Sequence, residues 1–160
     1  MRITVLSSLF AALLAGCGSA QPSGPAVLHD PCHPLAVVAP GASELRTAAI
    51  SDALESWNSL GLTQLTQDDS SGDRVEVSFE KAAGVFHGLY DPQKGTVAIN
   101  DDLVDRHSLS VVIAHELGHA MGLVHVSPDD RASVMNPGNV TVSPTQTDSG
   151  AISAMWNGCR

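Results

Sequence analysis

Residues 115–125 of this chain read HELGHAMGLVH, and few folds can accommodate that string. His115 and His119 are four positions apart, so on a helix they project from one face, about one turn apart. Two imidazoles placed this way can share one metal ion. Glu116 lies about 100° around the same helix, where its carboxylate can reach a water on that ion without becoming a ligand. Gly122 sits where the helix must stop and reverse, and glycine takes the left-handed conformation that ends a helix with no Cβ penalty. His125 then closes a third coordination position.

Three neutral imidazoles leave the fourth site of a tetrahedral zinc open to water, whose pKa falls there to about 7. Glu116 can take that proton as a carbonyl carbon is attacked and pass it to the leaving amine, which hydrolyses a peptide bond without a covalent intermediate. A bare His-Glu-x-x-His arises by chance in unrelated proteins, but the extension through Gly122 and His125 is far rarer. The bland alternative is a satisfied histidine cluster on a helix. Downstream, Ser133-Val134-Met135-Asn136-Pro137 adds an independent point.

Together these residues resemble the metzincin zinc metallopeptidases, and among them the small matrixin-like bacterial proteases. The likeness runs over roughly residues 36–158 and is strongest from Ser108 to Pro137. It implies a zincin fold and a zinc-dependent endopeptidase with one catalytic Zn2+ on His115, His119 and His125 and with Glu116 as general base. It makes Met135 the Met-turn methionine, a hydrophobic floor under the imidazoles that does not ligate. It places Asp148 under the site near that turn; the alternative is an aspartate satisfying free backbone N–H groups at a helix start. An extended protein or peptide substrate would pair with an edge strand at about Val85–Tyr90. The residue after the scissile bond would enter a pocket walled by Val126–Val134.

This chain also departs from the family pattern. Asn136 stands where some metzincins carry a tyrosine, and Val126 where some carry a subfamily marker. His87 matches one ligand of the second zinc of vertebrate matrixins, but Ala98 stands where another is expected, so His87 reads as a rim or strand-face residue. His29, His33 and His107 lack ligand spacing and read as surface residues. Whether calcium helps hold the loops is left open; Asp68-Asp69 and Asp101-Asp102 read as solvated faces.

Residues 1–17, MRITVLSSLFAALLAGC, have a positive start and a twelve-residue, mainly apolar run from Ile3 to Leu14. A bilayer-spanning helix takes about 20 residues, so the run reads as the core of a secretory signal. Leu14-Ala15-Gly16-Cys17 resembles the bacterial lipobox, which implies lipidation of Cys17; the alternative is a plain cleaved signal. The expectation is an exported protein anchored by lipid to the bacterial cell envelope, at the outer membrane if there is one. Residues 18–35 are rich in Pro, Gly and Ser and read as a flexible tether. Setting Cys17 aside leaves Cys32 and Cys159, an even pair in an oxidising compartment, which suggests a disulfide worth roughly 3–5 kcal/mol; the alternative is two free thiols.

Length and charge narrow the rest. A chain of 160 residues allows one ordinary domain, here 36–160. A net charge of -9 with eight Lys and Arg argues against a nucleic-acid partner. A monomer is expected. Apolar periodicity predicts a strand at 35–39, a helix from about Ser43 to Leu60, an alternating strand around Val75, Val77 and Phe79, and strands at 85–90 and 96–100 joined by a turn. Helices follow from about Ser108 to Met121 and from about Pro144 to Trp156. That order gives an α+β domain: a small mixed sheet, an active-site helix and a C-terminal helix. The competing function is a zinc-binding surface lipoprotein that acts as a non-catalytic interaction module; an intact Glu116 argues against it.

Overall fold

A computed structural model describes residues 26–70, 72–81 and 86–158. The signal, the lipobox with Cys17, the first part of the tether and Cys159 lie outside the described residues. The elements are β1 (Leu35–Val38), α1 (Glu44–Asn58), β2 (Leu65–Thr66), β3 (Asp73–Glu80), β4 (Gly88–Asp91), β5 (Thr96–Asn100), α2 (Arg106–Ala120) and α3 (Gln146–Met155). The strands form one five-stranded sheet in the order β2-β1-β3-β5-β4. All neighbours are parallel except β4 and β5, which form an antiparallel hairpin. The domain is therefore α+β with a mixed sheet, as the order of elements implied.

Alternation decides which face of the sheet is buried. Val75 and Val77 of β3 and Val97 and Ile99 of β5 are buried, while Glu76 and Ser78 between them are exposed. The buried face meets the helices. Trp57, at the end of α1, is fully buried and donates from Nε1 to the Ala114 carbonyl of α2 at 3.0 Å, which ties the two helices at their contact. In α2 eleven of fifteen residues are buried, so it is a core helix with no solvent stripe. Its start is capped by Asp105, whose side chain accepts from the Ser108 N–H at 2.8 Å.

Two features differ from the sequence reading. β2 pairs in parallel with β1 where the periodicity predicts no strand, and two residues are too few to show a period. Residues 26–34, read as tether, lie packed on the domain. The Val27 N–H donates to the Pro92 carbonyl at 2.7 Å, and the His29 N–H to the Ala120 carbonyl at 2.9 Å. His29 is thus buried rather than a surface residue, and its Nδ1 meets Asp73 at 2.9 Å. Local composition marks a tether, but long-range backbone pairing overrides it here. His33 and His107 are exposed, as read.

Candidate metal centre

The end of α2 builds the site. Gly122 has φ +97, its N–H reaches the His119 carbonyl at 2.9 Å, and the Leu123 N–H reaches the Gly118 carbonyl at 2.9 Å. Those paired bonds are the Schellman stop, which satisfies the last carbonyls and turns the chain back. The returning segment brings His125 to the other two imidazoles. His115 Nε2 and His119 Nε2 lie 3.1 and 3.2 Å from His125 Nε2. All three donor atoms fall within 4.8 Å of one another.

The donor set fits zinc. Tetrahedral bonds of about 2.0–2.1 Å put neighbouring nitrogens about 3.3 Å apart, close to the spacings found. The rings are also turned for ligation. His115 Nδ1 meets the Val134 carbonyl at 2.7 Å, and His119 Nδ1 meets the Leu123 carbonyl at 2.8 Å. A carbonyl only accepts, so Nδ1 carries the proton in both rings and each Nε2 lone pair faces inward. Burial pushes the His115 pKa down to about 4 and lowers that of His119, so both rings are neutral near pH 7. Inward lone pairs this close repel unless a cation lies between them.

Glu116 lines the same space. Burial raises its pKa to about 7, against the backbone N–H of Tyr90, which works the other way. A Cβ on Gly88 would come within 2.8 Å of Glu116 Cγ and Oε1, so the bare glycine of β4 lets the carboxylate sit against the strand. Below the rings, Met135 is buried, and its Sδ packs on Gly118, where a Cβ would collide with it. The Met135 carbonyl accepts from the Val126 N–H at 3.1 Å, which fixes the residue after His125.

The turn that carries Ser133, Val134 and Met135 is braced by Asp148. Its carboxylate accepts from the Ser133 hydroxyl, from the Val134 N–H at 3.2 Å, and from the Thr145 N–H and hydroxyl at 2.8 Å each. Both readings of this residue hold together: it closes the capping box of α3 and supports the turn.

Two recesses flank the metal centre. A cavity of about 170 Å3 is lined by Phe86, His87, Gly88, Val112, His115, Glu116, His125, Gly138 and Asn139. Its lining includes Gly138 and Asn139 and no residue of Val126–Val134. Asn139 Nδ2 donates to the Val134 and Val142 carbonyls at 3.2 and 2.6 Å, which holds that wall in place. His87 is a rim residue of this cavity, and Ala98 lies on β5 opposite Leu89. The second recess, a groove of about 370 Å3, lies on the His119 side. Cys32 is disulfide-bonded; Cys159, its expected partner, lies outside the described residues.

Sequence reasoning missed Gly88, Gly118, Asn139 and the 26–29 segment. Gly118 carried a signal, since a glycine inside a buried helix asks what lies against it. The others depend on contacts distant in sequence.

Compared with known families, residues 97–157 match the matrixin family model, from β5 through α3. No curated protein matches the chain.

Proposed function

We propose that this matrixin-like chain, whose family is one of zinc metallopeptidases, is an endopeptidase whose zinc would be held by His115, His119 and His125, with Glu116 as the general base. One observation carries the reading: the His115 and His119 Nε2 atoms converge on His125 Nε2 at 3.1 and 3.2 Å, with the buried Glu116 carboxylate lining the same cavity. Bound zinc would lower the pKa of a water to about 7 and polarise a carbonyl oxygen. The Glu116 carboxylate takes one proton from the attacking water as the water oxygen bonds to the carbonyl carbon. The C–N bond breaks, and Glu116 hands the proton to the departing amine nitrogen.

The chain's other residues position the substrate. β4 is the sheet's edge strand, and the backbone groups of Gly88 and Tyr90 turn away from β5 by the antiparallel alternation, since His87 is the residue whose carbonyl accepts from Asn100. An extended peptide laid on that edge would be held by backbone pairing. The cavity walled by Gly138 and Asn139 would take the side chain after the scissile bond.

The same proposal includes placement of the chain at a bacterial cell envelope through lipid on Cys17. Its support is the Leu14-Ala15-Gly16-Cys17 sequence after an apolar run.

The test is hydrolysis of a denatured protein by the zinc-loaded chain, with Glu116→Ala and a chelator as controls. Cleavage that both controls abolish is the expected result. Stoichiometric zinc binding with no cleavage by the wild type would instead indicate a non-catalytic binding module.

A further inference from the structure

Leu28 is an exposed leucine held in a fixed place. On one side of it Val27 is pinned to the β4–β5 turn: its N–H donates to the Pro92 carbonyl at 2.7 Å, and its carbonyl accepts from the Tyr90 hydroxyl at 2.6 Å. Burial raises the Tyr90 pKa to about 12, so that hydroxyl keeps its proton. On the other side His29 is pinned to the last residue of α2 and to Asp73. The segment therefore spans from the sheet's edge to the end of the active-site helix, with the Leu28 side chain at the open end of the cleft.

There it meets two other exposed apolar residues. Leu28, Leu89 and Val124 are 48, 53 and 78 % exposed, and all three line the groove of about 370 Å3. Its floor is Gly122 and Leu123, and it shares Glu116, His119 and His125 with the metal centre, so it is continuous with the place where the reaction would occur. Apolar surface left open on three separate segments around one groove marks a binding surface. Among the described residues, no ionisable side chain lines it apart from Glu116, the imidazoles and Tyr90, so a charged guest would lose water with little to replace it.

We propose that Val27–His29 forms a wall of the substrate cleft, and that Leu28, Leu89 and Val124 select an apolar side chain on the N-terminal side of the scissile bond. The side follows from the proposed function, on which this inference rests: the residue after the bond takes the Gly138–Asn139 cavity, and the groove lies across the metal centre from it. The occupant is a substrate segment of two or three residues whose apolar side chain displaces water from the three walls.

An NMR titration tests this. The full chain carrying Glu116→Gln, loaded with zinc, is titrated with acetyl-Ala-Leu-Leu amide and with acetyl-Ala-Ser-Ser amide. The leucine peptide is expected to bind about tenfold more tightly and to shift the amides of Leu28, Leu89 and Val124. Leu28→Ser should remove most of that preference. Val124→Ser, at a more exposed position, should do the same with the rest of the amide spectrum unchanged, which separates lost recognition from lost folding. Leucine-selective binding that depends on Leu28 supports the groove even if the wild-type chain cleaves nothing, an outcome that would strike the peptidase reading alone. Equal binding of the two peptides, or binding indifferent to both substitutions, overturns the groove and leaves the peptidase reading standing.

Discussion

The buried Asp148 carboxylate of α3 accepts a hydrogen bond from the Ser133 hydroxyl, so the helix that ends the fold holds up the turn beneath the imidazoles. The same carboxylate accepts from the Val134 N–H, and the Val134 carbonyl accepts from His115 Nδ1. A chain of two contacts thus runs from α3 through Val134 to His115. Replacing Asp148 by Asn keeps the shape but puts a donor where an acceptor of several bonds stood. We expect a stability loss of about 2–4 kcal/mol in urea unfolding. Zinc affinity should fall by about 10–100-fold in a competition titration, the usual effect of losing a partner behind a ligand.

Gly88→Ala separates the base from the ligands. The new Cβ would press on Glu116 Cγ and Oε1 and on Val112 Cγ1, and none of these three nearest atoms belongs to an imidazole. Peptide hydrolysis should fall by about tenfold or more, because a displaced base transfers its proton poorly. Zinc content, measured on the same sample, should stay at one ion. A rate equal to the wild type would mean that Glu116 has room to move.

Zinc should stabilise the domain without being needed to fold it. Leu109, Ile113, Leu117 and Met135 belong to one buried hydrophobic core built from apolar side chains. Free zinc at a hundredfold over its dissociation constant should add about 2.7 kcal/mol to unfolding by mass action. A chelator should lower the melting temperature of the wild type while leaving a cooperative transition, and His125→Ala should remove most of the zinc increment. Unfolding on chelation alone would contradict this.

The Arg106–Asp52 pair fastens the start of α2 to α1, with Arg106 Nε and Nη2 at 2.7 and 2.6 Å from the carboxylate. The Arg106 hydrogen bond, ahead of its charge, holds the Asp52 pKa below its ordinary 3.8. A depressed carboxylate contributes stability above its unfolded pKa and loses that contribution as pH falls through the folded value. Both side chains are more than a third exposed, so the contribution is under about 1 kcal/mol. A double-mutant cycle with Arg106→Ala and Asp52→Ala should show coupling at pH 7 that fades as the pH falls below the ordinary carboxylate range.

Much of the site was legible because it is local. His115, His119, Gly122 and His125 lie within eleven residues, and helix geometry relates them without any knowledge of the sheet. Alternation likewise exposed β3, and the Asp91–Gly95 turn exposed the β4–β5 hairpin. The closeness of Gly88 to Glu116 was not legible, because the two residues lie on different elements. β2 and the packed 26–34 segment were hidden for the same reason, since their partners are backbone groups elsewhere in the chain.

The amino-acid order alone determined the three-histidine cluster, the carboxylate beside it, the glycine stop and the α+β class, because each rests on spacing within one element or between adjacent ones. Only the folded chain decided that Gly88 admits Glu116 to the edge strand, that Asp148 braces His115 through Val134, and that Leu28 stands at the cleft. Those relations join residues 14 to nearly 100 positions apart, and no periodicity carries information over that range. Packing density and the need to satisfy buried polar groups select them instead, and both act only once the chain has closed.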